Sequence, residues 1–331
     1  MPPTRSLKSE EQRMSLPIRR PRAARLTALL CPVALALSWS TSAQAFEAGM
    51  SLYPKGFAGF MSGFVPPQPG LFIINPYYYA FNGTAAASVR DGRVELGVDI
   101  AMDAVFVQGL YTTGWKLFGA NYSIGGAVAY AWAGISATVT GPLGNSVDLS
   151  QSANDVADTI LMPLNLSWHA GNWHMNTAVS FYVPTGPYSS GELNVGRNMW
   201  AVIPTFSVTW YEMATEWDVS GAFALVIPGE NDATDYQSGV VFQLDWAIGK
   251  HFGAWEIGIA GNVVEQITDD SGAGAQLGGF RMESFGIGPA INYTAMLGQA
   301  PLTISAKWQP DISATNTFEG DVITASLVFV F

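Results

Sequence analysis

The sequence predicts an all-β chain: a transmembrane antiparallel β-barrel of about 12 strands, with about 14 as the alternative count, preceded by a cleaved signal peptide. Three observations carry that expectation. The 331-residue chain is 49% hydrophobic but only 12% charged, roughly half the charge of a soluble domain. After residue 45 it has no unbroken apolar run of the ~20 residues that a membrane helix needs; its apolar residues instead alternate with polar ones, as in strands with two unlike faces. From residue 83 onward, the connections between these segments run long, short, long, short to the end.

Residues 1–45 read as a signal peptide. Arg19, Arg20, Arg22 and Arg25 form a basic region, residues 26–39 an apolar one, and Ala43-Gln44-Ala45 a small-x-small cleavage site. Cys31, the one cysteine, follows Leu30 rather than a small residue, so a lipoprotein signal is not expected, and the exported chain has no disulfide or thiol chemistry. Without this segment the chain keeps 8 basic and 24 acidic residues, a formal net charge of −16. That sign excludes nucleic acid as a partner.

Residues 46–70 form a lead-in rich in Gly, Phe and Pro. Gly56-Phe57, Gly59-Phe60 and Gly63-Phe64 precede Pro66-Pro67-Gln68-Pro69-Gly70. Such a stretch has neither helical nor strand periodicity. It is expected either to be a linker or to fold into the barrel lumen as a plug.

Residues 71–331 are expected to form the barrel. Residues 71–82 include Tyr77-Tyr78-Tyr79, which suits an aromatic girdle at a membrane boundary. Next, Val94, Leu96, Val98, Ile100 and Met102 alternate with Arg93, Glu95, Gly97, Asp99 and Asp103. Burying ionised groups in an apolar core is costly, so the charged face must meet water, either in a lumen or outside. Thr112-Thr113-Gly114 reads as a turn and residues 141–155 as a polar loop. The cleanest hairpin follows: Ile160, Met162, Leu164, Leu166 and Trp168 on one face, the turn Ala170-Gly171-Asn172, then Trp173, Met175, Thr177, Val179, Phe181 and Val183. Further strands cover residues 200–211, 217–227, 236–248, 255–266, 279–294 and 302–309, with a parity shift near Ser284 that predicts a bulge.

The short connections are residues 113–114, 170–172, 212–216, 249–253 and 296–300. The long ones are 83–92, 141–155, 184–198, 228–235, 267–278 and 310–320. Short periplasmic turns and long external loops are the habit of outer-membrane barrels, and a sandwich predicts no such alternation. The last strand, residues 321–331, places Ile323, Ala325, Leu327, Phe329 and Phe331 on one face and ends without a polar tail. It is expected to pair with residues 71–82 and close the barrel, giving the barrel-assembly machinery a terminal Phe to recognise.

No catalytic residue is assigned. His169, His174 and His251 have no acid at a matching offset and are read as solvated turn histidines, too scattered for zinc. The acidic stretches at residues 230–235 and 269–272 lack calcium-loop spacing. No metal, no cofactor and no enzymatic activity are therefore expected. The residues expected to line the lumen are Arg93, Glu95, Asp99, Asp103, Asp218, Gln243, Asp245, Glu256, Asn262 and Lys307.

Several segments, in order, resemble the outer-membrane proteins associated with the meta pathway of phenol degradation, called MetA-pathway or transporter-like proteins. They are Pro184-Thr185-Gly186-Pro187-Tyr188, Asn194-Val195-Gly196-Arg197-Asn198-Met199-Trp200, residues 231–239, Thr268-Asp269-Asp270-Ser271-Gly272, Gly286-Ile287-Gly288-Pro289 and Val328-Phe329-Val330-Phe331. The resemblance implies the outer membrane of a Gram-negative bacterium and a role in uptake of small hydrophobic or aromatic molecules. The alternative function is a structural or adhesive envelope barrel whose acidic loops bind cations or lipopolysaccharide. Either way, the expected surroundings are outer-membrane lipid and lipopolysaccharide.

Overall fold

The computed structural model describes residues 49–331, apart from residues 90–93, 142–143, 277 and 299. The expected signal peptide lies outside the described residues. The strands are β1 (Phe72–Val89), β2 (Val94–Leu117), β3 (Ala120–Thr140), β4 (Ser146–Val156), β5 (Thr159–Ala170), β6 (Trp173–Val183) and β7 (Ala201–Glu212). They continue as β8 (Trp217–Pro228), β9 (Val241–Phe252), β10 (Trp255–Gln266), β11 (Glu283–Leu297), β12 (Ala300–Thr315) and β13 (Glu319–Val330).

All pairings are antiparallel, and the sheet closes on itself through β13 with β1 and β2 with β3. On its other edge β3 serves two partners: its residues 121–127 pair with β5 and its residues 130–140 with β4. β4 and β5 are successive stretches of one stave, parted at Ala157 and Asp158, where the Ala157 N–H still donates to the Ala129 carbonyl (2.8 Å). The ring is therefore a closed barrel of 12 strands. At the seam the two end residues exchange hydrogen bonds: Phe331 N–H donates to Phe72 O (2.9 Å) and Phe72 N–H to Phe331 O (3.1 Å).

The side-chain alternation sorts inside from outside. Val219, Phe223, Leu225, Ile257, Ile259, Ile304, Ile323 and Leu327 are exposed on the exterior, a pattern that only a lipid phase favours. Trp115, Trp173, Trp217 and Trp255, also exposed, ring the short-turn end, while Tyr130, Trp132 and Trp200 lie toward the other. These are the two interfacial belts of a membrane barrel. The protein is an outer-membrane β-barrel of Gram-negative type.

The structure corrects the sequence reading in four places. The first short turn is not at Thr112-Thr113-Gly114: β2 continues past a bulge between Thr112 and Lys116, and the chain turns at Phe118 and Gly119, both at positive φ. A Thr-Thr-Gly triplet is turn chemistry by composition, but a bulge uses the same freedom without ending the ladder. Second, most of the expected loop 141–155 is β4; polar residues occupy both faces of this strand and nearly all are exposed. β2 has 24 residues where about 9–11 cross a bilayer, so the β2–β3–β4 ribbon continues into water and lacks the apolar signal of a spanning strand.

The third correction concerns the tyrosines. Alternation turns Tyr77 and Tyr79 into the barrel, where both are buried, and leaves Tyr78 outside. The fourth is the charged face of β2. Ile100, Met102, Ala104 and Phe106 point inward and pack around Tyr77, Tyr79 and Phe81. Glu95, Asp99 and Asp103 thus point outward, and Asp103 accepts a hydrogen bond from the Tyr78 hydroxyl on the exterior. The physical rule that charges meet water holds, but the water is outside. Arg93 lies outside the described residues. The bulge expected near Ser284 is present, between Phe285 and Gly286.

Deleting Phe331 removes both hydrogen bonds of the closing pair and one aromatic of the stacked Phe329–Phe331 couple. The expected outcome is a several-fold loss of folded, heat-modifiable barrel in the outer-membrane fraction with unchanged export to the periplasm. Equal folded yield would remove the assembly role assigned to this residue.

Candidate functional site

The interior is organised by residues 49–70. Gly49 sits at the long-loop mouth, where its carbonyl accepts from Thr317 Oγ1 (2.6 Å). From there the chain crosses the interior to the short-turn end, where Gly70 N–H donates to Thr112 O (2.9 Å) before β1 begins. A backbone segment inside a barrel carries its own donors and acceptors, and each must find a partner.

Those partners are polar side chains on the barrel wall. The Asp245 carboxylate of β9 accepts from the N–H groups of Gly56 (3.0 Å) and Ala58 (2.9 Å). Opposite it, Lys307 Nζ of β12 donates to the carbonyls of Gly56 (2.6 Å), Phe57 (3.1 Å) and Ala58 (2.6 Å). An anion thus takes the donors and a cation takes the acceptors of the same three residues. Above this clasp, Lys55 pairs with Asp311 (2.6 Å), and Gln243 Nε2 donates to Pro54 O (3.1 Å). Below it, Gly63 N–H donates to Thr209 Oγ1 (2.9 Å).

Two of the three Gly-Phe steps gain a geometric reason at the glycine. At Gly56 (φ +71°) a Cβ would lie 1.9 Å from Gln309 Oε1, and at Gly63 it would lie 2.5 Å from the His174 carbonyl. Only glycine lets the chain approach the wall this closely. Each following phenylalanine then fills space. Phe57 meets Tyr77 (centroids 4.7 Å apart), and Phe60 packs on Ala247, Ala260 and Ala290. Phe64 lies against His169 (5.3 Å) and His174 (5.0 Å).

The histidine reading needs correction. His169 and His174 are inward-facing and half-buried, with their Nδ1 atoms 2.9 Å apart and His169 Nε2 3.0 Å from the Val65 carbonyl. A hairpin register pairs them directly, so residues read as solvated turn groups form a seat for the lead-in.

Of the residues expected in the lumen, Asp218, Gln243, Asp245, Glu256, Asn262 and Lys307 do face the interior and are buried or nearly so. Two kinds of interior residue were not anticipated. One is the lead-in's own set of contacts. The other is an apolar cavity of about 120 Å³ near the long-loop mouth, between residues 49–55 and the wall. Tyr79, Phe81, Met102, Phe106 and Met282 line it, Ala129, Ala131 and Ala133 make its floor on β3, and Asp158 and Arg197 stand at its edge. The alternating alanines of β3 were the available signal: small inward side chains on one strand leave room that neighbouring strands do not fill.

The family model described as "Putative MetA-pathway of phenol degradation" matches residues 81–327. The chain belongs to that family. Its fold is similar to that of an outer membrane channel from Pseudomonas putida F1, with a TM-score of 0.60 at 15% identity, covering 81% of this chain and 97% of that one. More distant barrels are a FadL homologue from Pseudomonas aeruginosa (TM-score 0.39, 8% identity, 86% and 94% covered) and the β domain of the Bordetella autotransporter BrkA (0.42, 9%, 79% and 100%). No curated protein sequence matches this chain.

Replacing Lys307 with Met leaves three carbonyls without their donor and Asp245 without its opposing charge. Breaking a buried ionic arrangement of this kind costs about 3–5 kcal/mol. The lead-in of Lys307→Met is expected to detach while the barrel stays folded, seen as fast hydrogen exchange at the Gly56 and Ala58 amides. Wild-type protection of those amides would show that the clasp does not seat the segment.

Proposed function

We propose that this protein is a passive outer-membrane channel for small apolar or aromatic compounds, with residues 49–70 acting as a plug that yields during passage. It is a conduit and not an enzyme. The observation that carries the reading is the apolar cavity between the lead-in and β1–β3. Its size is close to the ~150 Å³ of an engineered apolar cavity that takes up benzene, so the compounds it suits have about one ring. The ring of aromatic side chains there offers offset and edge contacts to another ring, and the membership in a family named for phenol degradation supports the same substrate class.

The alternative, an adhesive barrel with cation-binding acidic loops, has less support. Asp158 is occupied by the N–H groups of Gly186 (2.8 Å) and Arg197 (2.6 Å), Asp270 by Tyr236, Gly239 and Gln266, and Asp269 by Arg281 (2.7 Å). These three acids hold loops to the barrel rim and are already engaged. Lipid and lipopolysaccharide surround the exterior in this reading, and the terminal strand is the element offered to the assembly machinery.

Uptake of labelled toluene by a deletion strain, complemented with wild type or with Ala131→Trp, tests the proposal. Ala131 is buried on the cavity floor, so the indole fills the space without touching the clasp. Wild type is expected to restore uptake and Ala131→Trp to restore a small fraction of it at equal folded yield. Uptake that is the same with and without the protein would sink the substrate class.

A further inference from the structure

One interior cluster forms no hydrogen bond with the lead-in. Near the short-turn end, Asp218 (β8), His251 (β9) and Glu256 (β10) converge, with one ligand-capable atom of each lying within 4.8 Å of the other two. His251 Nε2 is 3.6 Å from Asp218 Oδ2 and 3.6 Å from Glu256 Oε1. That is too long for a hydrogen bond. It matches the separation of about 3.4 Å between two ligands held ~2.1 Å from a tetrahedral zinc ion.

The state of those three atoms points to a ligand. Asp218 is fully buried and Glu256 is 5% exposed, yet among the described residues no donor group reaches Asp218 Oδ2 or Glu256 Oε1, which face each other, and His251 Nε2 has no hydrogen-bond partner. The other oxygen of each carboxylate is held in place: Ser220 Oγ donates to Asp218 Oδ1 (3.3 Å) and Asn292 Nδ2 to Glu256 Oε2 (2.9 Å). Such partners orient metal ligands in known sites. Among the described residues no lysine or arginine forms an ion pair with either carboxylate. Two buried acids with one histidine between them are balanced either by a bound cation or by a proton shared between the carboxyls.

The backbone beside the cluster is built to let the ligands approach one another. Gly249 lies opposite Asp218 in the β8–β9 ladder. A Cβ at this position would come within 2.5 Å of Asp218 Oδ2, 2.8 Å of Glu256 Oε1 and 2.8 Å of the Phe60 ring. Glycine therefore lets both carboxylate oxygens and the Phe60 ring close on the β9 backbone, where any side chain would push them apart. The His251 ring is partly exposed and lies against the Tyr211 ring (5.0 Å), while its Nε2 is buried and turned to the two carboxylates.

We propose that Asp218 Oδ2, His251 Nε2 and Glu256 Oε1 bind one divalent transition-metal cation of the Zn²⁺ type, with water completing its coordination. The imidazole selects against Mg²⁺, which prefers an all-oxygen shell. The site ties β8, β9 and β10 together beneath Phe60.

The test uses the full barrel in detergent, stripped with a chelator and titrated with Zn²⁺ against a chromophoric competitor. One Zn²⁺ per chain is expected, with an X-ray absorption spectrum showing an N/O shell that includes imidazole. Affinity should fall about 100-fold or more in His251→Ala and Asp218→Asn, and in Gly249→Ala, which pushes both carboxylates away without removing a ligand. Heat-modifiable migration establishes that each variant is folded; should Asp218→Asn fail to fold, the partly exposed His251→Ala decides. Absence of stoichiometric Zn²⁺ binding by wild type would overturn the proposal and leave the two acids sharing a proton. Equal Zn²⁺ affinity in folded His251→Ala would overturn it too, as would Mg²⁺ binding as tightly as Zn²⁺.

Discussion

The constraint beneath everything else is that hydrocarbon offers no partner to a backbone N–H or C=O. Strands that cross it must pair on both edges, so the sheet has to close, and the mutual hydrogen bonds of Phe72 and Phe331 at the seam complete that closure. Closure at 12 strands then creates the second problem. Eight strands leave an interior that side chains can fill, and 16 or more leave an aqueous channel. The intermediate width here holds one extra stretch of chain.

That stretch inherits the same constraint in a different place. Within the barrel its amides and carbonyls have no ladder to join, and the wall supplies Asp245, Lys307, Gln243, Thr209 and His169 instead. Interior polarity is therefore concentrated where the lead-in runs close to the wall. Where it stands off, near the long-loop mouth, the wall turns apolar and small, and a cavity remains. The division between clasp and cavity gives the molecule a held segment next to a space of one-ring size. The acids of β8 and β10 stand apart from both.

Period-2 alternation made the spanning strands legible because lipid imposes one chemistry on every outward position. Loop-length parity gave their direction, and the parity slip at Ser284 gave the β11 bulge. The signal failed where that imposition stops. Above the membrane the outer face of β2 and both faces of β4 meet water, so Glu95, Asp99 and Asp103 read as lumen residues although they face outward, and β4 read as a loop. Among the interior residues, Asp245 and Lys307 were legible as inward, but their use was not. Their common partner is a segment far away in sequence, and nothing in the spacing of residues 245 and 307 points to Gly56.

The amino-acid sequence by itself determined the fold class, the approximate strand number, the closing strand and the glycine and phenylalanine content of the lead-in. All of these follow from local alternation and turn chemistry, which a single chain segment carries within itself. The tertiary structure alone decided that residues 49–70 thread the interior, that His169 and His174 meet beneath Phe64, and that Asp218, His251 and Glu256 converge beside Gly249. The reason is geometric: barrel closure brings neighbouring strands about 4.8 Å apart however far apart their residues lie in the chain, and sites are built across strands.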